Sequence, residues 1–208
     1  MSKFSNIIWD WNGTLFDDAW LCLEIINRIL RKNNLNTLTP GKYQDIFHFP
    51  VKEYYSKLGF NFIKTPYQSI ANEFIEEYER RKNECQLITD AQSVLTIISE
   101  SECDQSILSA YATKTLVESV KNFELDRFFS HIIGLNDHFA HGKLKVGKQL
   151  IDKFDADKKQ MVLIGDTVHD AEVAKELGIS CILLTGGHQS QKRLESCGFP
   201  VVTELNQV

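Results

Sequence analysis

Short apolar segments rich in Ile, Leu and Val recur along the chain, separated by amphipathic segments of helical length. Buried parallel strands have this continuous apolar character because helices cover both faces of their sheet. The pattern predicts five buried strands and one edge strand, at residues 6–9, 105–108, 131–133, 161–164, 180–184 and 200–202. Residues 168–177, followed by Gly178, are predicted as a helix with a glycine stop signal. The fold class that follows is α/β, with an open, doubly wound parallel sheet.

Residues 16–84 have a different pattern, in which helical periodicity dominates and no β-branched runs occur. Helix starts are predicted at Asp17–Asp18, Thr39–Pro40 and Thr65–Pro66. The first of these helices has its apolar residues at helical spacing, at Leu21, Ile25, Ile29 and Leu30. We therefore expect residues 16–84 to form an α-helical cap inserted into a core made of residues 1–15 and 85–208. The alternative is that these helices pack on the core as extra layers.

The composition narrows the class of protein. The 208 residues include 23 Lys and Arg against 28 Asp and Glu, a net charge of −5, which does not fit a general nucleic-acid binder. No run of about 18 apolar residues occurs, so no membrane partner is expected. The five cysteines are scattered and form no CxxC pair, which favours a reducing cytoplasm over a disulfide framework.

Polar residues follow three of the predicted strands at the point where each strand ends. Asp10 follows the first strand, Ser109 follows the second, and Asp166 follows the fourth, with Asp170 close behind. The carboxyl ends of parallel strands share one edge of the sheet, where α/β proteins bind their ligands. Each residue alone is a common turn or cap residue, but their coincidence predicts a site.

The residues at this edge favour phosphoryl transfer. Carboxylates crowded together repel one another unless a cation neutralises them, and an oxygen-lined site suits Mg²⁺. A carboxylate nucleophile, a divalent metal, a hydroxyl and a lysine are together suited to phosphate chemistry. Lys143, just after Gly142, is the preferred lysine, whereas Lys145 and Lys148 fit a solvated helix face.

In this order and over nearly the whole chain, the motifs resemble those of the haloacid dehalogenase-like superfamily of phosphatases. The matching residues are Asp10 to Thr14, Ser109, Lys143 and Gly165 to Asp170. The helical insertion resembles the small cap of the phosphoglycolate phosphatase-like branch. The resemblance implies a Rossmann-like core beneath an α-helical cap and a Mg²⁺-dependent phosphatase that acts on a small phosphorylated metabolite.

The resemblance also implies a role for each matching residue. Asp10 would attack phosphorus and form an aspartyl-phosphate. Asp10, Asp166 and the backbone carbonyl of Asn12 would hold Mg²⁺, with Asp170 supporting the metal directly or through water. The phosphate would be bound by the side chains of Ser109 and Lys143 and by backbone N–H groups near Gly13, Thr14 and Ala110.

Asn12 departs from the family, which has an aspartate there as general acid and base. An amide cannot transfer a proton in this pH range, and that loss typically slows a reaction on the order of 10²- to 10⁴-fold. Asn12 is compatible with three situations. His169 or Asp17 supplies the proton instead; the protein is a slow phosphatase or a non-catalytic phosphate sensor; or the asparagine is an engineered substitution that traps an intermediate.

Two further groups of residues have simpler interpretations. His138 and His141 have a spacing that could bind zinc, but a loop-lining role is favoured because no further ligand lies at the usual spacing. Seven aromatic residues of the insertion are expected to form mainly its own core, with one or two facing the site: Tyr43, Phe47, Phe49, Tyr54, Tyr55, Phe60 and Phe62. The sequence leaves the substrate's identity and the oligomeric state open.

Overall fold

The computed structural model describes residues 4–101, 103–135, 142–154 and 156–208. His138 and His141 lie outside the described residues. The strands in the described part are β1 (Asn6–Trp9), β2 (Phe16–Asp17), β3 (Gln86–Leu87), β4 (Asp104–Ala112), β5 (His131–Leu135), β6 (Met161–Gly165), β7 (Ser180–Leu184) and β8 (Val201–Val202). The α-helices there are α1 (Ala19–Lys32), α2 (Pro40–Ile46), α3 (Val51–Lys57), α4 (Tyr67–Arg81), α5 (Ala91–Ser99), α6 (Thr113–Asn122), α7 (Lys143–Ile151), α8 (Val168–Leu177) and α9 (Gln191–Glu195).

Six strands form a sheet in the order β5-β4-β1-β6-β7-β8, and every pairing in it is parallel. The central strand β1 is buried on both faces. Ile7 and Trp9 belong to one hydrophobic cluster, while Ile8 belongs to the cluster on the opposite face. Because both faces are covered, each side chain of this strand is apolar except the terminal Asn6.

The sequence prediction of an α/β, doubly wound parallel sheet is confirmed. All five buried strands, the edge strand and the helix over residues 168–177 are present. β4 continues beyond the predicted apolar segment as far as Ala112, with a shift of register between Leu108 and Ala112. This irregular end of β4 carries Ser109 and Ala110, two of the predicted site residues.

Helices α1 to α4 lie between β2 and β3, which pair with each other as an antiparallel two-stranded ribbon. The ribbon joins Phe16 to Leu87 and Asp17 to Gln86, so the chain enters and leaves the insertion at neighbouring points. The predicted apolar face of α1 is buried, at Leu21, Ile25, Ile29 and Leu30. The division into a cap of residues 16–84 and a core stays a prediction.

The three predicted helix starts have different outcomes. Thr39 accepts a hydrogen bond from the Lys42 backbone N–H and is a true N-cap before Pro40. Thr65 does not cap a helix, because α4 begins one residue later, after Pro66, and the Thr65 hydroxyl donates to Asn33. Asp18 holds the N-cap position of α1, but its carboxylate accepts no hydrogen bond from that helix's backbone.

None of the described helices has the length and apolar character needed to cross a membrane.

Candidate active site

Three buried carboxylates meet at the carboxyl edge of the sheet. Asp10 follows β1, Asp166 follows β6, and Asp170 lies in the first turn of α8. One carboxylate oxygen from each lies within 4.8 Å of the others. Together with Lys143, the first residue of α7, they form what we call the polar floor (Asp10, Lys143, Asp166 and Asp170) of a cavity of about 210 Å³.

Lys143 lies between two of these carboxylates and is almost completely buried. Its Nζ is 2.8 Å from Asp10 Oδ1 and 2.5 Å from Asp170 Oδ1. Burial alone would lower the pKa of this lysine, but the two carboxylates outweigh burial and raise it. Lys145 and Lys148 of the same helix are exposed, as expected for its solvated face.

The pKa values of Asp10 and Asp166 are both raised. Burial raises the pKa of Asp10 to about 6, although the charge of Lys143 opposes the shift. Burial likewise raises the pKa of Asp166 to about 7. The charge of His188 opposes this shift, and the charge of Asp170 adds to it. Both carboxylates are therefore held in a place where their negative charge is incompletely balanced by the protein.

Tight backbone turns bring two loops against Asp166. Its Oδ2 accepts the backbone N–H of His188 at 2.6 Å, and its Oδ1 accepts the Thr14 hydroxyl at 3.2 Å. Gly13 has φ +74°, and a Cβ on it would lie 2.3 Å from Asp166 Oδ2; a Cβ on Gly187 would lie 2.2 Å from the same atom. Glycine is required at both positions because the backbone approaches the carboxylate so closely.

Asp170 has both carboxylate oxygens engaged. Oδ1 pairs with Lys143, and Oδ2 accepts the backbone N–H and the hydroxyl of Thr167 in a capping box that starts α8. Burial would raise the pKa of Asp170, but Lys143 and Thr167 more than compensate and lower it. Asp170 thus remains charged and fixes the position of Lys143.

Asn12 points its side chain at Asp18, a residue that sequence reasoning had assigned only to a helix start. The Asn12 Nδ2 group donates to Asp18 Oδ2 and to the Tyr78 hydroxyl, each at 2.8 Å. Asp18 also accepts from the Tyr78 hydroxyl at 2.7 Å and from the Gly13 backbone N–H at 3.0 Å. Asp18 therefore serves as the acceptor that orients the Asn12 amide and the turn around Gly13.

His188 completes this network from the loop after β7. Its Nε2 lies 3.2 Å from Asp18 Oδ1, and its Nδ1 lies 2.8 Å from the Tyr43 hydroxyl of α2. Burial would lower the pKa of His188, but the charge of Asp18 prevails and raises it to about 9. In turn His188 outweighs burial at Asp18 and lowers the pKa of that carboxyl. The two form a buried ion pair at neutral pH.

The predicted phosphate-binding residues occupy different environments. Ser109 and Ala110 line the cavity beside the polar floor, and Ser109 is buried. The backbone N–H of Gly13 donates to Asp18 and to the Phe16 carbonyl, and that of Thr14 donates to the Trp11 carbonyl. These two N–H groups thus have partners within the turn, and their role in phosphate binding stays a prediction.

The other side of the cavity consists mainly of aromatic residues from α2, α3 and the segment between them. We call this surface the aromatic wall; it comprises Tyr43, Phe47, Phe49, Tyr54 and Tyr55. The expectation that one or two of the seven aromatic residues face the site is wrong, because five line the cavity. Contacts between α2 and the loop after β7 accompany this orientation, including the Tyr43–His188 contact and a hydrogen bond from Gln44 Nε2 to the Gly187 carbonyl at 3.0 Å.

The two proposed alternative proton donors are separated by the fold. His169 lines the cavity and packs against Phe49 with ring centroids 5.3 Å apart, and its Nε2 has no hydrogen-bond partner among the described residues. Asp17 lies in the β2 strand and is absent from the cavity lining. Of these two residues, His169 alone is placed at the site.

Sequence reasoning missed Asp18 and His188. For His188 a signal was available, because Gly186 and Gly187 follow a predicted strand at the same edge as Asp10 and Asp166. For Asp18 the signal was ambiguous, since an aspartate before an apolar periodic segment is ordinarily a helix cap. Only the packing of Tyr78 and His188 around Asp18 shows its role.

Comparison with known proteins supports the architecture. The sequence model described as haloacid dehalogenase-like hydrolase matches residues 7–184. Among solved structures, a haloacid dehalogenase-like family hydrolase from Streptococcus pneumoniae has 20% identity and a TM-score of 0.84, covering 100% of this chain and 97% of that one. A predicted phosphoglycolate phosphatase from Haemophilus somnus has 18% identity and a TM-score of 0.78, covering 99% and 96%.

A predicted phosphatase from Clostridium acetobutylicum has 16% identity and a TM-score of 0.82, covering 99% of this chain and 96% of that chain. At these identities the structural similarity establishes the fold. No curated protein sequence matches the chain. Because the family model spans residues 7–184, which include every strand end that contributes to the polar floor, the chain belongs to the haloacid dehalogenase-like hydrolase family.

Proposed function

We propose that the chain is a Mg²⁺-dependent phosphatase that hydrolyses a small phosphorylated metabolite through an aspartyl-phosphate on Asp10. One observation carries the proposal: three buried carboxylates and Lys143 converge at one end of a cavity whose other end is apolar. A phosphate at the polar floor would leave the organic part of the molecule against the aromatic wall. The phosphatases named among the structural neighbours are consistent with this function.

The residues at the polar floor fit Mg²⁺. The cluster of Asp10, Asp166 and Asp170 offers only carboxylate oxygens, which hard cations prefer. Asp10 and Asp166, together with the backbone carbonyl of Asn12, would hold the ion, and Asp170, whose Oδ1 pairs with Lys143, would support it directly or through water. When bound, Mg²⁺ would supply positive charge against the phosphate oxygens.

The reaction would proceed in two displacements at phosphorus. First, a carboxylate oxygen of Asp10 attacks, the bond from phosphorus to the ester oxygen breaks, and that oxygen leaves with the electron pair. Ser109 and Lys143 contact the oxygens of the transferring group. Water then attacks phosphorus and the bond to Asp10 breaks. One proton of that water ends on the released alcohol and the other on inorganic phosphate.

In this proposal residues 16–84 are the cap, and residues 1–15 and 85–208 are the catalytic core. Contacts between the two parts lie at the cavity, because Tyr78 reaches Asn12 and Tyr43 reaches His188. A cavity of about 210 Å³ that both parts line favours a small molecule over a phosphorylated protein. The five free cysteines are consistent with the cytoplasm as the location.

Asn12 favours a second candidate function, a phosphate-binding sensor with little or no turnover. Its amide is oriented by Asp18 and Tyr78 but has no ionisable proton to exchange with a leaving group or with water. His169, which lines the cavity, is the remaining candidate for that proton transfer. The two functions differ in whether the aspartyl-phosphate is hydrolysed.

Phosphate release with Mg²⁺ and with EDTA tests the proposal, with the unaltered protein compared with Asn12→Asp. We expect Mg²⁺-dependent release by the unaltered protein and a faster reaction by the variant. The new carboxyl would lie next to Asp18 Oδ2, which would hold it protonated and able to act as an acid. Release by the variant alone would support the sensor, and no release by either protein would contradict the phosphatase.

A further inference from the structure

The aromatic wall offers a surface suited to a flat ring. The rings of Phe47 and Tyr54 meet edge to face with centroids 5.3 Å apart, and Phe47 meets Phe49 in the same way at 5.4 Å. Tyr43 stacks on Phe47 at 5.3 Å. A network of this kind exposes both faces and edges of rings, which are the two surfaces that another aromatic ring contacts favourably.

The aromatic wall provides no cation for a second anionic group on the substrate. Among the basic residues in the described lining, Lys143 is engaged by Asp10 and Asp170, and His188 is engaged by Asp18. The third, His169, packs against Phe49, and its Nδ1 lies 3.6 Å from the Glu172 carboxylate. None of those lining residues is an arginine. A carboxylate or a second phosphate on the organic part would thus be buried without a partner, which is strongly unfavourable. The lining favours an uncharged organic part.

The Tyr54 hydroxyl is an independent sign of a ligand at this wall. Tyr54 is 2% exposed and lines the cavity, yet its hydroxyl has no hydrogen-bond partner among the described residues. Buried hydroxyl groups are normally paired, because leaving one unpaired is costly. A polar substituent on a bound ring would provide that partner.

Asn12 restricts the chemistry of the leaving group. Without an acid at this position, the ester oxygen must leave without receiving a proton from residue 12. Phenols have a pKa of about 10, like tyrosine, whereas aliphatic alcohols resemble water at about 16. A phenolate therefore leaves far more readily than an alkoxide when no proton is supplied.

We infer that the substrate is an aryl phosphate monoester, the phosphate ester of a phenol whose ring carries no charge. This inference rests on the proposed function and names the leaving group for it. Asp10 displaces the phenolate at phosphorus, and the electron pair of the broken ester bond stays on the phenolate oxygen. The phenolate then takes a proton from water, so neither Asn12 nor any other residue has to act as an acid in this step.

Four compounds separate ring recognition from leaving-group reactivity. Phenyl phosphate has both a ring and a good leaving group, benzyl phosphate has the ring alone, acetyl phosphate has the good leaving group alone, and glycerol phosphate has neither. The ratio kcat/KM is the quantity to compare, because it reports formation of the aspartyl-phosphate. The value of kcat would become equal for all four compounds if hydrolysis of that common intermediate were slow.

We expect phenyl phosphate to have a higher kcat/KM than benzyl phosphate or glycerol phosphate. Glycerol phosphate should be slower by about 10³-fold, since it lacks both the ring and the leaving group. Benzyl phosphate should exceed glycerol phosphate by about tenfold, because an apolar contact of this size typically discriminates by that factor or more. Acetyl phosphate, whose carboxylate leaving group is a weaker base than phenolate, shows how a variant acts on a reactive substrate that lacks the ring.

A pair of variants shows whether the aromatic wall is responsible for recognition of the ring. Phe49→Leu removes an aromatic ring from the cavity lining and should lower kcat/KM about tenfold for phenyl and benzyl phosphate, with acetyl phosphate changed by less than about twofold. Phe128→Leu, a half-buried position outside the cavity, is the matched control and should leave all four values unchanged.

The outcomes distinguish the two proposals. A kcat/KM for glycerol phosphate that equals or exceeds that for phenyl phosphate, or one for benzyl phosphate no higher than that for glycerol phosphate, would overturn the aryl assignment while leaving the phosphatase intact. An equal loss on acetyl and phenyl phosphate in Phe49→Leu would also overturn it, because the ring would then have only a structural role. No Mg²⁺-dependent turnover of any of the four compounds would overturn the proposed function itself.

Discussion

The polar floor and the aromatic wall lie in one cavity, but different kinds of interaction hold their side chains in place. At the polar floor, Lys143 pairs with Asp10 and Asp170, and the geometry is fixed by charge and by strand ends. At the aromatic wall, rings from short helices pack against one another at centroid distances near 5.3 Å. In our account the polar floor performs a reaction common to many substrates, and the aromatic wall selects one of them.

The largest expected effect is on the polar floor. Asp10→Asn removes the proposed nucleophile while keeping the size of the side chain, so Mg²⁺-dependent phosphate release should fall by at least about 10⁴-fold. Steady-state assays of phosphate release measure the loss. Asp126→Asn, at an exposed turn, is the control and should keep full activity. If Asp10→Asn kept its activity, the polar floor would take no part in the reaction.

The next effect is on stability. Lys143→Met would leave Asp10 and Asp170 buried without their cation, and loss of one partner of a buried ion pair typically destabilises a protein by about 3 to 5 kcal/mol. Urea denaturation followed by circular dichroism measures the free energy of unfolding. Lys145→Met on the exposed face of the same helix should change it by less than about 0.5 kcal/mol. Equal stability of the two variants would contradict the buried pairing.

The pair of Asp18 and His188 links the polar floor to the wall and predicts a pH dependence. The pKa of His188 is raised from 6.5 to about 9, so its stabilising contribution is complete below about pH 6.5 and is lost as the pH rises through 9. This loss should amount to about 2 to 3 kcal/mol of unfolding free energy.

Unfolding free energies at several pH values between 6 and 10 test that prediction. His188→Gln should abolish the decline across this window, although the variant is less stable at pH 6. His131→Gln, at the start of β5, should keep the decline. If the unfolding free energy of His188→Gln declined with pH as steeply as that of the unaltered protein, His188 would not titrate in this range.

The smallest effect concerns the insertion that carries the aromatic wall. Thr39 caps α2, so Thr39→Ala should lower the free energy of unfolding by about 1 kcal/mol. Thr65 does not cap α4, so Thr65→Ala should change it by less than about 0.5 kcal/mol. Thermal or urea denaturation of both variants makes the comparison, and equal losses would argue against the different capping roles.

The sequence predicted the polar floor better than the aromatic wall, for a physical reason. Asp10, Ser109 and Asp166 each follow a short segment whose pattern predicts a buried strand, and parallel strands bring their carboxyl ends together. Once the strands were identified, the positions of these residues followed from the topology of the sheet.

The orientation of the wall could not be predicted in this way. The helices α2 and α3 are seven residues long, and which of their faces meets the cavity depends on contacts with distant loops, such as Tyr43 with His188. For the same reason Asp18 was interpreted only as a helix start. Its partners Asn12, Tyr78 and His188 come from three separate parts of the chain.

The central claim is that Asp10 carries the phosphoryl group during the reaction. Acid quenching of the protein with phenyl phosphate and Mg²⁺, followed by mass spectrometry of its peptides, tests this claim directly. Because Asn12 cannot act as a base for the attacking water, the intermediate should accumulate, and the peptide containing Asp10 should gain the mass of one phosphoryl group. A phosphoryl group on Ser109 or another residue, or turnover with no modified peptide, would contradict the account.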